Sequence, residues 1–326
     1  VLLDGRDDGA VAQAADALAA GDLVGFPTET VYGLGARADD DAAVSKIFAA
    51  KGRPVDHPLI VHVAEASDAM RFAADWPPVA QRLCAVFWPG PLTVIVARRP
   101  EMALAAAAGQ GSIGLRCPSH PIAQRLLRAA AQRGVAGVAA PSANRFGRIS
   151  PTRAQHVVEE FGADLLVLDG GPCQDGIEST IVDCSRGHPV LLRPGTLTLA
   201  QLEAAAGEAV RERDSAAPRA SGTLEAHYAP RAKLRLMDAG ALRAALQVLG
   251  RPPMKLAVYS RTVPKSAAPG ASHRVMPMQA AQAANELFTT LRELDAEGAH
   301  LIWVEEPPAT PEWAGVRDRL QRAAAS

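Results

Sequence analysis

Lys51, Arg53, His57 and His62 fall within twelve residues, shortly after a hydroxyl-rich turn at Thr28, Thr30 and Tyr32. Arg53 offers a planar fork suited to phosphate or carboxylate, and Lys51 a point charge. Turn hydroxyls can hold a ligand's polar atoms, and Gly33 and Gly35 let backbone approach closely. The combination describes a basic, hydroxyl-lined cleft for an anionic substrate. Two plainer readings stand beside it. Thr28 to Gly33 also has the composition of an ordinary strand-to-helix turn. His62, inside the apolar run Leu59 to Val63, also suits a hydrogen-bonded core histidine, on the strand face opposite Val61 and Val63.

A second polar set comprises Ser112, Arg116, Ser142, Asn144, Ser150, Ser179, Thr180 and Arg193. Most of these lie where a predicted strand meets a Gly- or Pro-containing loop, the end at which open α/β sheets gather ligands. Ser142 has no GxSxG elbow, which argues against a hydrolase nucleophile. There is no GxxxxGK(S/T) loop, no HExxH and no CxxC. A bound nucleotide would therefore have its phosphates held by scattered Arg, Lys and hydroxyl groups, and no metal site is expected. Gly33 to Ala38 fits a loose GxGxx(G/A) pattern, but its polar lead-in is unlike a dinucleotide-binding strand.

The elements that must position these residues mix without strict alternation. Helices are predicted at 9–20, 40–50, 78–87, 121–133 and 152–161, and strands at 23–26, 59–63, 92–97, 113–116, 138–140, 165–169, 180–183 and 190–193. That pattern predicts an α/β domain with a twisted mixed sheet over residues 1–206. Residues 207–230 are polar, turn-rich and patternless, and read as a linker. Residues 231–326 alternate short strands (234–237, 256–259, 274–276, 301–304) with helices (239–249, 279–297, 312–324). They predict a small, parallel, Rossmann-like α/β domain.

The 326 residues suffice for two domains, and 48% hydrophobic content suits a packed core. A net charge of −1 provides no global field for nucleic acid or anionic membrane. Only five of the 34 basic residues are Lys, which reads as an Arg-rich compositional bias. The four cysteines are expected as reduced thiols. The N-terminus lacks a signal-peptide pattern and the apolar runs are too short to span a bilayer, so a cytoplasmic protein is expected.

Ordered motifs give a more specific reading. They are Pro27 to Gly35 (PTETVYGLG), Lys51 to Pro54 (KGRP), His57 to His62 (HPLIVH), Trp88 to Thr93 (WPGPLT), Leu115 to Pro118 (LRCP), Pro141 to Asn144 (PSAN), Ser150 to Thr152 (SPT), Glu178 to Asp183 (ESTIVD) and Leu192 to Gly195 (LRPG). Over residues 1–206 the chain resembles the YrdC-type threonylcarbamoyl-AMP synthases, and His227 to Pro230 (HYAP) with the extra domain resembles their long, Sua-type form. The resemblance implies a nucleotidyltransferase that converts L-threonine, bicarbonate or carbon dioxide, and ATP (with Mg²⁺) into threonylcarbamoyl-AMP and pyrophosphate. A separate transferase complex would then use the product to modify tRNA.

By the same resemblance, Thr30, His62, Arg116, Ala140 (through its backbone) and Ser179 match threonine-binding positions, with Arg116 on the carboxylate. Arg53, His57, Ser112, Ser142, Asn144, Ser150, Arg193 and Tyr228 match ATP-binding positions, and Lys51 would face the phosphates beside Arg53. His57 departs from the family's usual Asn. Tyr228 and the linker would cover the cleft and exclude water. The alternative is an RNA- or tRNA-binding module of the same fold without synthase activity, marked by salt-dependent RNA affinity. A carbamoyl-transfer domain of the HypF kind is disfavoured, because no acylphosphatase or zinc-finger segment accompanies it.

Overall fold

The structure, a computed structural model, describes residues 1–249, 254–267 and 270–326. It divides into two compact units, Val1–Phe146 with Ser150–Thr223, and Gly147–Ile149 with Leu224–Ser326.

The first unit is built on a mixed sheet of eleven strands. In chain order these are β1 (Leu2–Asp4), β2 (Val24–Phe26), β3 (Gly33–Arg37), β4 (Ile60–His62), β5 (Leu92–Ala97), β6 (Ser112–Arg116), β7 (Val138–Ala139), β8 (Leu166–Asp169), β9 (Thr180–Asp183), β10 (Val190–Arg193) and β11 (Arg211–Glu212). Their spatial order is β1-β8-β2-β3-β7-β4-β6-β5-β9-β10-β11. The helices are α1 (Asp8–Ala19), α2 (Asp41–Lys51), α3 (Ala66–Ala69), α4 (Pro78–Phe87), α5 (Pro121–Ala131), α6 (Ala154–Phe161) and α7 (Leu199–Ala206). Local chemistry sets several of their ends. Asp40 caps α2 by accepting from Ala42 N and Ala43 N, and Gly52 ends it in the left-handed region at φ 65°.

Pairing register sorts the central strands into two faces, because side chains alternate along each strand. Val61, Leu115, Val94 and Val182 form one transverse row and belong to the main apolar core with α2 and α4. Ile60, Ile95, Ile181, Val190 and Leu192 form a smaller cluster with Ala217 and Ala220. The polar site residues described below share that second face.

Two differences from the sequence reading concern glycine and sheet edges. No strand was expected between the Thr28 to Gly33 turn and the helix at 40–50; Gly33–Arg37 is β3, antiparallel to β2. Its glycines are there for close packing. A Cβ on Gly35 would lie 2.8 Å from Val138 Cγ1 and 2.9 Å from Phe26 Cε1. Arg211–Glu212, inside the stretch read as a linker, pairs in parallel with Val190 and Leu191 at the sheet edge.

In the second unit β12 (Lys233–Met237), β13 (Leu256–Ser260), β14 (Ser272–Val275) and β15 (Leu301–Glu305) form a parallel sheet of order β12-β15-β13-β14. The helices α8 (Ala239–Leu249), α9 (Ala280–Ala296) and α10 (Ala314–Ala324) follow β12, β14 and β15 respectively. The Rossmann-like expectation for this segment matches that arrangement. No described helix is long and apolar enough to cross a membrane.

Candidate active site

One register line crosses the sheet through Val138, His62, Arg116, Thr93, Ile181 and Arg193. Directly paired residues leave the same face. His62, Arg116, Thr93 and Arg193 therefore project together, and Ser112 joins them from two pairs further back on β6. The sequence reading named four of these five residues; the register brings them to one surface.

The turn after β2 reaches over this line. Thr28 Oγ1 donates to Val31 O at 2.6 Å and accepts from the N–H groups of Thr30 and Val31 at 3.2 Å. Its single proton is thereby used, so in the 2.8 Å contact between the two threonines Thr30 Oγ1 donates to Thr28 Oγ1. The Thr30 hydroxyl is left as an acceptor, and Arg116 Nη1 donates to it at 2.9 Å. Glu29 lies in the same turn, with Oε1 2.8 Å from Arg116 Nη2. Both side chains are almost fully buried, at 6% and 4% exposure.

Ser179 Oγ lies 2.8 Å from Thr93 Oγ1 and accepts from Arg193 Nη2 at 3.2 Å. Arg193 also donates to Ser179 O and Ser221 O. Ser150 donates to Glu178. Arg53 donates to the carbonyls of His57 and Pro58, and its guanidinium lies 5.8 Å from the Phe146 ring centre. His57 meets the same ring edge-on at 5.3 Å. Ala140 spends its N–H on Ile60 O, so ligand contact through its backbone would fall to the carbonyl. A narrow cleft is lined by Ile60, Thr93, Ile95, Ser112 and Gly114 together with Arg219 to Ser221. A wider groove runs past Trp76, Trp88 and Arg128 and includes none of the residues expected to bind ligand.

Lys51 sits differently from the simplest expectation. Its ammonium is buried and donates to the carbonyls of Ser142 and Asn144. Burial, followed by the nearby Arg53 charge, holds its pKa well below the ordinary lysine value. It fastens the Ser142–Asn144 loop. Asn144 Nδ2 in turn donates to Arg145 O at 2.8 Å.

The electrostatics keep the site's histidine neutral. Burial, then the Arg116 charge, lowers His62 to about 3. Burial also lowers His57, with Arg53 adding to it. Asp175 is pushed up to about 6, first by burial and then by Glu29. Tyr228 belongs to the second unit. It takes the left-handed region at φ 60°, stacks on Phe288 and lies under the Arg319 guanidinium. A buried aromatic residue with positive φ is uncommon and marks a constrained position.

Sequence reasoning missed Glu29, Thr93, Glu178 and Asp175. Glu29 and Glu178 both stood inside quoted motifs, Pro27 to Gly35 and Glu178 to Asp183, but neither was given a role. Thr93 closed the quoted Trp88 to Thr93 motif but was given no role, because only its pairing with Arg116 places it here.

A family profile described as "Telomere recombination" matches residues 16–195, and one described as "Threonylcarbamoyl-AMP synthase, C-terminal domain" matches residues 197–325. A Bacillus subtilis threonylcarbamoyl-AMP synthase is 37% identical over 98% of this chain and 94% of its own length. The chain belongs to the threonylcarbamoyl-AMP synthase family. Among solved structures of this family, Pyrococcus abyssi Sua5 complexed with L-threonine superposes with a TM-score of 0.87 at 34% identity, over 96% of this chain and 94% of that one. A doubly substituted P. abyssi Sua5 gives 0.90 at 32% identity, over 99% and 96%. The family's two-part organisation accounts for both sheets of this chain.

Proposed function

We propose that this chain joins L-threonine, bicarbonate or carbon dioxide, and ATP into L-threonylcarbamoyladenylate, releasing pyrophosphate. The observation that carries the reading is the register line that sets His62, Arg116, Thr93 and Arg193 on one face, in a chain that aligns over 98% of its length with a synthase of that name.

Arg116 takes the threonine carboxylate. Thr30, His62, Ser179 and the Ala140 carbonyl surround the rest of the amino acid. Neutral His62 can hydrogen-bond the threonine hydroxyl without adding charge beside the arginine. Arg53, His57, Ser112, Ser142, Asn144, Ser150 and Arg193 receive ATP, and Lys51 acts by holding the Ser142–Asn144 loop. ATP enters as its Mg²⁺ complex, because its phosphates ordinarily carry that ion.

The threonine α-ammonium first gives up a proton to solvent; the free amine then adds to the carbon of carbon dioxide and loses a second proton to give a carbamate. A carbamate oxygen then attacks the α-phosphorus in line, and pyrophosphate leaves. Neither step needs a covalent enzyme intermediate, so positioning and charge neutralisation supply the rate. This makes the chain a nucleotidyltransferase. Its labile product passes to a separate transferase complex that modifies tRNA in the cytoplasm.

Pyrophosphate release with ATP and bicarbonate, with and without L-threonine, tests the reading. Threonine-dependent release is expected. Release that ignores threonine, or none at all, rejects it.

A further inference from the structure

We propose that Glu29 reads the α-ammonium of the amino-acid substrate; the proposal rests on the threonine reading above. Glu29 is anchored from two sides. Its carbonyl accepts from Asp175 N at 2.7 Å, and its Oε2 accepts from Ser119 N at 3.1 Å. These bonds fix the carboxylate and leave Oε1 for other duty.

Oε1 lies 2.8 Å from Arg116 Nη2, close enough for an ion pair. The angles there do not make a hydrogen bond, and both atoms are buried without one. The rest of Arg116 is engaged. Nη1 donates to Thr30 Oγ1 at 2.9 Å and Nε faces Gly90 O at 3.4 Å. Each charge is balanced by the other, yet the cation keeps an unused donor and the anion an unused lone pair, both out of water. Buried polar atoms in native proteins are nearly always bonded, so such a pair calls for a ligand that satisfies both.

A zwitterion does this. Its carboxylate bonds Nη2 while its ammonium bonds Oε1, and in an α-amino acid the two groups hang from one carbon, as closely spaced as the two protein atoms. The four charges then alternate in sign. A ligand with the carboxylate alone would bring a second anion against Glu29 with nothing between them. Glu29 therefore favours α-amino acids and repels the matching acids that lack the amine.

The test is calorimetric binding of L-threonine and of 3-hydroxybutanoate, which is threonine without its ammonium, to the full chain and to Glu29→Gln. Hydroxybutanoate is followed by displacement of threonine where direct heats are small. Charge-assisted hydrogen bonds of this kind correspond to about 10- to 100-fold in affinity. E29Q is expected to weaken threonine by that factor and to leave hydroxybutanoate unchanged or tighter.

Equal losses for both ligands would mean that Glu29 only orients Arg116, and would overturn the proposal. So would unaltered threonine affinity in E29Q, or a selective loss of threonine in Asp175→Asn that E29Q does not show. If E29Q does not fold, Glu29→Asp keeps the charge but retracts it, and the same selective loss is expected. A wild-type chain that binds no threonine rejects the underlying reading itself, a result distinct from all of these.

Discussion

Arg116 on β6 and Glu29 in the turn after β2 form a buried ion pair, 2.8 Å apart, between segments 87 residues distant in sequence. Neither charge is wet enough to stand alone. Removing one partner of such a pair strands the other, which typically costs about 3–5 kcal/mol.

Arg116→Ala is therefore expected to abolish threonine-dependent pyrophosphate release and also to lower the melting temperature. The double variant Glu29→Gln/Arg116→Ala should recover most of the stability and none of the activity. Thermal melts beside a pyrophosphate assay separate the two effects. Near-normal turnover in folded R116A would remove Arg116 from the site.

Two buried groups should shape the acid limb of stability in opposite directions. The His62 imidazole titrates near 6.5 when unfolded and at about 3 when folded. Between those values only the unfolded chain takes the proton. Stability therefore falls as pH falls through that window, by up to about 1.4 kcal/mol per pH unit. Asp175 behaves oppositely, titrating near 3.8 unfolded and about 6 folded. Its contribution is present at low pH and is lost as pH rises through 6. His62→Gln should flatten the decline below pH 6.5, and Asp175→Asn should steepen it between about 4 and 6. Urea midpoints measured across this range give both slopes.

Lys51→Met should act on ATP before threonine. It removes the donor from two buried carbonyls, Ser142 O and Asn144 O, at a cost of about 1–3 kcal/mol. The KM for ATP is expected to rise about tenfold or more, because the loop carrying Ser142 loses its tether. Threonine affinity should change less than about twofold. A rise in threonine KM alone would contradict the loop-holding role.

Gly195→Ala should disturb the site from behind, against the Glu178–Thr180 segment and the Thr180 hydroxyl. The added Cβ would lie 2.6 Å from Thr180 N and 2.9 Å from Glu178 O. The neighbour there is backbone, which yields poorly, and overpacking of this kind costs about 1–3 kcal/mol. Because Ser179 lies between those two contacts, lost activity should accompany the lost stability. Wild-type melting and turnover would show that the Glu178–Thr180 segment adapts freely.

Much of this arrangement was legible in the sequence where one residue type decides a local event. The helix from Pro78 to Phe87 was bounded by Pro at its start and Trp88-Pro89 at its end. The strands Leu92–Ala97, Thr180–Asp183 and Val190–Arg193 were short segments centred on β-branched or apolar residues, and their observed bounds match. β3 was missed because Gly33 and Gly35 read as turn punctuation, whereas their purpose is contact with Phe26, Val138 and Ala140. The edge strands β1 and β11 were too short to carry a pattern. In the site, His62, Arg116, Ser179 and Arg193 stood out as polar residues at strand ends. Thr93 did not, because its role comes from the register between β5 and β6, and Glu29 did not, because its partner lies far along the chain.

The sheltered ammonium of Lys51 has a practical consequence for chemical labelling. Lys46, five residues earlier on the same helix, is half exposed, donating to Gly21 O and pairing with the exposed Asp22. An acylating reagent at mild pH will mark Lys46 readily and leave Lys51 blank while the chain stays folded. Acylation of Lys51 then becomes a clock: its rate reports how often the Ser142–Asn144 loop lets go.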